Sequence, residues 1–140
     1  MDKIFNQISV YTGLVGGLFF YIFGGWDVLL KTIVFLAIID YITGWMKAIY
    51  TKELSSEIAF KGIIKKIMMF FVIAVGYRLQ VLFGNTIPLR EVIISFYICN
   101  EGLSFLENAA VFIPIPDKIK QVLLQLREKD SDLNENEVDK

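Results

Sequence analysis

The stretch VLLKTIVFLAIIDYITGWM, residues 28–46, decides the fold because it is almost entirely apolar and long enough to cross a membrane. A helix that rises about 1.5 Å per residue needs about 20 residues to span roughly 30 Å of hydrocarbon. The rest of the chain shares this character, since 55% of its 140 residues are hydrophobic and its mean hydropathy is +0.55. Both values exceed what soluble domains typically show, so we expect a membrane protein.

Three further apolar stretches surround the first, at about residues 8–25, 67–83 and 92–113. Together they predict an all-α, polytopic transmembrane protein with four spans. Three spans are the alternative, if the glycine-broken stretch 8–25 lies in the membrane interface. This stretch lacks a small-x-small cleavage site, so we expect it to be retained as an anchor. The predicted organisation is a transmembrane domain over 1–113, a cytoplasmic amphipathic helix over 114–129 and a disordered acidic tail over 130–140.

The charges predict the orientation of these spans. Residues 47–66 form the one polar connection of useful length, whereas the other two connections contain almost no Lys or Arg. The basic residues of this connection are Lys47, Lys52, Lys61, Lys65 and Lys66. Cytoplasmic loops carry such an excess, so four spans place both termini in the bacterial cytoplasm. The net charge of −1 argues against a nucleic-acid partner.

Composition also excludes most catalytic chemistry. The chain has no histidine and one cysteine, Cys99, so one copy cannot build a disulfide, a zinc site of the usual ligands or a Cys–His pair. Its carboxylates are accompanied by no nucleophile and no phosphate-cradling loop. We therefore expect no enzyme activity, no metal and no cofactor.

Ionisable residues inside the predicted spans are the sharpest signal, and Asp40 and Arg78 are the clearest cases. A charge at the centre of a membrane helix costs about 2.5 to 3.5 kcal/mol, and a partner or water must offset this cost. Helical spacing puts Asp40 on one face with Thr43, Gly44 and Lys47. That face is expected to point into protein.

The fourth stretch is divided into a polar and an apolar side. At 100° per residue its polar residues fall within an arc of roughly 120°. This polar arc consists of Tyr97, Asn100, Glu101, Ser104, Glu107 and Asn108. It is the best candidate for a pore-lining surface. The alternative for a single residue is that Glu101 or Glu107 pairs with Arg78, Lys47 or another cation to hold one bundle together.

Glycines and a terminal amphipathic pattern suggest further contacts. Gly13 and Gly17 form a GxxxG pair that explains dimerisation and loose packing within one copy equally well, and Gly44 is a third candidate for a close helix contact. After Pro114 and Pro116, apolar residues recur at helical spacing and predict a short amphipathic helix. These residues are Ile119, Val122, Leu123 and Leu126. The helix could lie on the inner leaflet or against the bundle.

Several of these segments together resemble one known family. They are DYITGWMKA at 40–48, the serines at 55–56 leading to KGIIKKI at 61–67, NEGLSFLENAA at 100–110 and PIP at 114–116. In this order and spacing they are similar to the toxin secretion/phage lysis holin family of Gram-positive phages and clostridial toxin loci. The resemblance covers roughly residues 27–128.

The resemblance implies a homo-oligomer in the cytoplasmic membrane that opens lesions and releases an endolysin, or a toxin in the clostridial relatives. The family is usually described with about three spans, and relatives have a glycine in the stretch before Pro114, where this chain has VFI at 111–113. Two rival functions remain open. One is a small ion channel or transporter component with Asp40, Arg78 and Glu101 as a relay, and the other is a non-conducting membrane scaffold.

Overall fold

The computed structural model describes residues 2–122 and 124–126, with side chains described from residue 6 onward. Its four long helices are α1 (Asp2–Phe23), α2 (Val28–Tyr50), α3 (Ser56–Leu82) and α4 (Leu89–Ala109). A shorter helical stretch over 117–122 and 124–126, called here the C-terminal segment, follows the two prolines. The described part of the chain contains no strand, so the all-α fold class is confirmed.

The helix boundaries follow from local chemistry. The side chain of Asp27 caps α2 by accepting a hydrogen bond from the Leu30 amide at 2.9 Å, and Ser55 caps α3 by accepting one from the Ile58 amide at 3.2 Å. Such oxygens satisfy amides that the first helical turn leaves unpaired. Gly24 and Gly25 make the α1–α2 turn at φ values of 77° and 137°, which other residues rarely adopt.

Two predicted boundaries are corrected by the structure. The third helix begins at Ser56 and not near residue 67, so most of the predicted polar connection 47–66 is helical and only residues 51–55 remain as a loop. Lysines are good helix formers, and the Ser55 cap starts the helix before the apolar run begins. The fourth helix ends at Ala109 and not at 113, because the chain tightens into a turn in which the Phe112 amide donates to Ala109 O.

Helices α2, α3 and α4 pack around one apolar core. Its buried members are Leu30, Ile33, Ala37, Met69, Ile73 and Ile94. Gly76 allows α3 and α4 to approach closely, since an added Cβ would lie 2.3 Å from Ile93 Cδ1. Helix α1 is peripheral. Only its last turns reach the core, through Phe19 and Phe23, and its described side chains up to residue 18 are exposed.

The contacts define two ends of the bundle. The arginine end comprises the turns at 24–27 and 83–88 and the first turn of α4, where Arg90 bonds to the α1–α2 turn. The lysine end comprises the end of α2, the loop 51–55, the start of α3 and the end of α4. Chain direction therefore alternates between consecutive helices from α1 to α4, as a bundle with short turns requires.

Helix α2 is the one described helix that is both long and apolar enough to cross a membrane by length and composition. The other helices contain 22, 27 and 21 residues, but polar or charged residues interrupt their apolar runs. In α3 and α4 these include Lys65, Lys66, Arg78, Glu101 and Glu107. The number of spans therefore remains a prediction.

Candidate functional site

A group of three charged side chains lies between α2, α3 and α4 and is called here the charged triad. The ammonium group of Lys66 lies 2.5 Å from Asp40 Oδ2 and also pairs with Glu101 Oε2. The side chain of Glu101 is 4% exposed, that of Asp40 12% and that of Lys66 15%. One cation from α3 therefore links carboxylates of two other helices in a mostly apolar bundle.

An amide and a hydroxyl complete the surroundings of Asp40. Asn108 on α4 donates through Nδ2 to Asp40 Oδ1 at 3.1 Å and to Thr43 Oγ1 at 3.4 Å. Thr43 sits one turn after Asp40 and donates its hydroxyl to Ile39 O at 2.9 Å. Both oxygens of the Asp40 carboxylate thus have a partner, which a buried charge requires.

The charge balance of the triad is uneven. Two carboxylates share one ammonium, so the fully ionised group carries one excess negative charge. Buried charges are costly unless they are paired and hydrogen-bonded. Removing Lys66 would leave two facing carboxylates without a cation, which makes this residue the centre of the arrangement.

The cation that pairs with Glu101 is Lys66, a residue that the sequence analysis placed in the polar loop. Arg78 lies elsewhere. Its guanidinium carbon stacks 4.3 Å from the centre of the Tyr21 ring, and Arg78 itself is exposed. Lys47 lines a separate cavity at the lysine end. The lysines between 61 and 66 lie in the first turns of α3, so the directions of their side chains depend on where the helix begins. That start was predicted near residue 67 and lies at Ser56.

The polar arc of α4 faces a cleft of about 700 Å³ between α3, α4 and the C-terminal segment. The arc residues that line it are Tyr97, Asn100, Glu101, Ser104 and Glu107. Lys120 and Leu124 of the C-terminal segment close the far side. The sixth arc residue, Asn108, bonds to Asp40 instead. The structure therefore brings five of the predicted arc residues to one polar cleft.

The apolar side of α4 packs into the bundle. Ile94 is fully buried, and Leu106 and Ala109 are each 9% exposed. These three residues therefore pack against protein.

A second ionic cluster, at the arginine end, was not singled out by the sequence analysis. Arg90 is 3% exposed and donates to Phe23 O at 2.5 Å and to Asp27 Oδ2 at 2.7 Å. Its backbone amide donates to Gln80 Oε1 at 2.7 Å. The hydrogen bond from Arg90 holds the pKa of the Asp27 carboxyl below its ordinary value. Arg90 thus ties α4 to the α1–α2 turn and to α3.

The three candidate contact glycines lie in different surroundings. A Cβ added at Gly13 or Gly17 would meet nothing within 4 Å, whereas one at Gly44 would lie 3.6 Å from Asn108 Nδ2. The GxxxG pair on α1 therefore has no neighbour within this copy among the described residues.

Within residues 2–122 and 124–126, no group of three or more His, Cys, Asp or Glu side chains could hold a metal ion. The geometry thus consists of a charged triad, a polar cleft and an arginine cluster in a small helical bundle.

Comparison with known proteins adds the decisive observation. The model of the bacteriophage holin family matches residues 17–128, which include the triad, the whole polar arc and Arg90. The chain belongs to the bacteriophage holin family. Membership in a holin family implies a location in the cytoplasmic membrane and a role in phage lysis, and it confirms the resemblance seen in the sequence.

The chain is also similar to several individual proteins, one of which is called a probable holin. A protein called a probable holin from Bacillus phage phi105 is 39% identical over 98 residues, which cover 69% of this chain and 72% of the relative. An uncharacterised 14.9 kDa protein of the nagH 3′ region of Clostridium perfringens is 44% identical over 131 residues, which cover 92% and 99%. The YqxH protein of Bacillus subtilis is 35% identical over 121 residues, covering 86% and 85%. No solved structure shows significant similarity to this holin-family chain.

Proposed function

We propose that this chain oligomerises in the bacterial cytoplasmic membrane and opens lesions through which an endolysin, or a toxin, leaves the cell. The observation that carries the proposal is the polar arc of α4, five of whose six residues line one cleft between α3, α4 and the C-terminal segment. A surface that is polar at membrane depth needs either protein partners or water. In a single copy, Lys120 and Leu124 of the C-terminal segment lie across the cleft from the polar arc.

The size of the chain supports assembly from many copies. The three packed helices of one copy surround an apolar core, and the cleft of about 700 Å³ described above is far too small to pass a folded enzyme. A large lesion must therefore be surrounded by many copies of the chain. The lipid bilayer and other copies are the direct partners, the released enzyme or toxin is an indirect one, and no nucleic acid is involved.

Helix length and charge support four spans with both termini in the cytoplasm. At about 1.5 Å per residue, helices of 22, 23, 27 and 21 residues are each long enough for roughly 30 Å of hydrocarbon. The lysine end carries the basic residues that favour the cytoplasmic side. Lysines in the first turns of α3 can extend toward the interface along their apolar stems.

The unpartnered face of α1 is a second surface available to other copies. Gly13 and Gly17 are open on this face, and small residues let helix backbones approach closely in membranes. In this proposal α1 makes contacts between copies in the resting assembly, while α4 supplies the surface that meets water in the open state.

Co-expression with a reporter endolysin tests the proposal. Lysis that occurs abruptly and requires both proteins is expected of a lesion that passes a folded enzyme. Ion-selective currents without enzyme release would support the channel alternative instead. Unchanged viability, with neither currents nor enzyme release, would support the scaffold.

Thiol labelling tests the role of α4 directly. N100C and S104C are made in a C99A background, with F35C as the control because Phe35 is 61% exposed on α2, away from the cleft. A membrane-impermeant maleimide should label both α4 positions much faster after lysis than before, while labelling of F35C stays unchanged. Equal protection of the α4 positions before and after lysis would contradict a water-facing role.

A further inference from the structure

A second cavity lies at the lysine end and shares only Lys65 and Ser104 with the cleft of the polar arc. It measures about 330 Å³ and lies between the second half of α2, the loop 51–55, the start of α3 and the end of α4. Its lining includes Lys47, Lys65, Tyr41, Trp45 and Leu54. In the proposed topology it opens where the membrane meets the cytoplasm.

Two lysines give this cavity free positive charge. Lys66 also lines it, but Lys66 is engaged by Asp40 and Glu101. Among the described residues no carboxylate lies within ion-pair distance of Lys47 or Lys65. The acidic side chains of the lining are Asp40, which pairs with Lys66, and Glu53.

Glu53 sits in the loop and accepts a hydrogen bond from Thr51 Oγ1 at 3.2 Å. The ionisable side chains of the lining therefore sum to one positive charge, and Glu101, which shares Lys66 with Asp40, lies outside the lining. An excess cation in a half-enclosed site favours an anionic ligand.

The rest of the lining suits a ligand with an apolar part. Tyr41 and Trp45 stand side by side with ring centres 6.1 Å apart, and Leu54 and Ile58 add apolar wall. Tyrosine and tryptophan favour the headgroup level of a bilayer. The exposed apolar side chains of α2 continue from this wall, including Ile42 and Met46 at 49% and 51% exposure.

Glycines keep the cavity open. Gly62 lies beside the Tyr41 ring, where an added Cβ would come within 3.3 Å of Cε2. Gly44, on α2, also belongs to the lining. Larger residues at these positions would push side chains into the space between α2 and α3.

We propose that this cavity binds the phosphate group of an anionic phospholipid of the inner leaflet, with Lys47 and Lys65 at the phosphate and the acyl chains along α2. Basic pockets between membrane helices on the cytoplasmic side recognise lipid headgroups in this way. The inference rests on the proposed topology, but not on lesion formation. A tightly held lipid would tie α2 to α3 at the lysine end.

Quenching of Trp45 measures this binding without any lysis. The full chain carrying W26F keeps Trp45 as its only tryptophan and is reconstituted in phosphatidylcholine vesicles with increasing brominated phosphatidylglycerol. Saturable quenching at a low fraction of phosphatidylglycerol is expected. Quenching that only follows the bulk lipid fraction, equally for brominated phosphatidylcholine, would overturn the proposal.

Charge variants identify the residues. K47Q/K65Q should raise the phosphatidylglycerol fraction for half-maximal quenching by about tenfold, because each lysine near an anionic surface contributes about fivefold and part of this is screened. The matched control K52Q/K61Q removes two lysines of the same region that do not line the cavity, and a change below about twofold is expected. Equal effects of the two pairs of substitutions would show that the lysines attract anionic lipid only through their general charge, and this result would refute a specific site.

Two further variants remain informative if K47Q/K65Q folds poorly. K47R/K65R should preserve binding, and E53Q should strengthen it by about twofold to fivefold, since it removes the opposing charge. Weaker binding by E53Q would contradict the charge argument. Inorganic phosphate at millimolar concentration should leave the quenching intact, and its displacement of the lipid would show a site for free phosphate instead.

Discussion

The two ionic clusters of this protein differ in how exposed their carboxylates are. At the arginine end the cation is inside, since the Arg90 side chain is 3% exposed, and its acidic partners Asp27 and Glu91 are 47% and 41% exposed. In the charged triad the anions are enclosed as well as the cation, since the side chains of Glu101, Asp40 and Lys66 are 4%, 12% and 15% exposed. Water can therefore replace the lost partner in the first cluster but not in the second.

The largest effect should come from removing the cation of the triad. K66Q leaves two nearly buried carboxylates facing each other, and breaking a buried ion pair costs about 3 to 5 kcal/mol. Thermal unfolding in detergent should show this loss of stability, with K61Q as the control because Lys61 is exposed on the same helix. If K66Q and K61Q unfolded at the same temperature, the triad would not hold the bundle together.

A smaller loss is expected from R90Q, although Arg90 is the more enclosed cation. Its carboxylate partners can turn to water, so the main cost is the unpaired carbonyls of Phe23 and Gly25, about 2 kcal/mol in total. R90K should fall between R90Q and the unaltered chain, because it keeps the charge but loses the guanidinium fork. A loss larger than that of K66Q would reverse the comparison between the clusters.

Neutralising one carboxylate sharpens the comparison further. E101Q alone should change stability by about 1 kcal/mol or less, because Asp40 and Lys66 then form a balanced pair. In the K66Q background E101Q should recover about 1 to 2 kcal/mol, since it removes one of two unpaired charges. A double-mutant cycle in the same unfolding assay gives this coupling. A coupling near zero would mean that Lys66 and Glu101 do not interact.

The same comparison shows how far the sequence could predict the site. The apolar length of α2 and the periodicity of α4 were enough for an all-helical membrane protein and for the polar arc, because both depend on local spacing. Lys66 was predicted as a topology signal in a loop, since hydropathy does not show that the Ser55 cap starts α3 eleven residues before position 67. Once the lysine lies on a helix, its position opposite Asp40 and Glu101 follows from packing between helices.

Arg90 was missed for a related reason. In the sequence it is the single basic residue of a short external connection, and its partners include the carbonyls of Phe23 and Gly25, which no side-chain pattern reveals. The sequence did contain a signal, because the two external connections carry charges of opposite sign that could pair, Asp27 in one and Arg90 in the other. Identifying that pair requires knowing that both connections lie at the same end of the bundle.

The smallest expected effect concerns Asp27 and depends on pH. D27N keeps the cap of α2, because asparagine caps helices about as well as aspartate, and removes the charge that faces Arg90. Asp27 is 47% exposed, so solvent screens its charge, and Glu91 and the carbonyls of Phe23 and Gly25 remain as partners of Arg90. The loss at neutral pH should therefore be about 0.5 kcal/mol. Arg90 lowers the pKa of Asp27 from its ordinary 3.8, and the stabilisation is therefore fully present above that pH. It disappears as the pH falls through the lower value of the folded state. The difference in unfolding temperature between the unaltered chain and D27N should vanish over this range, and a difference that persisted at lower pH would show that Asp27 acts through its cap and not through its charge.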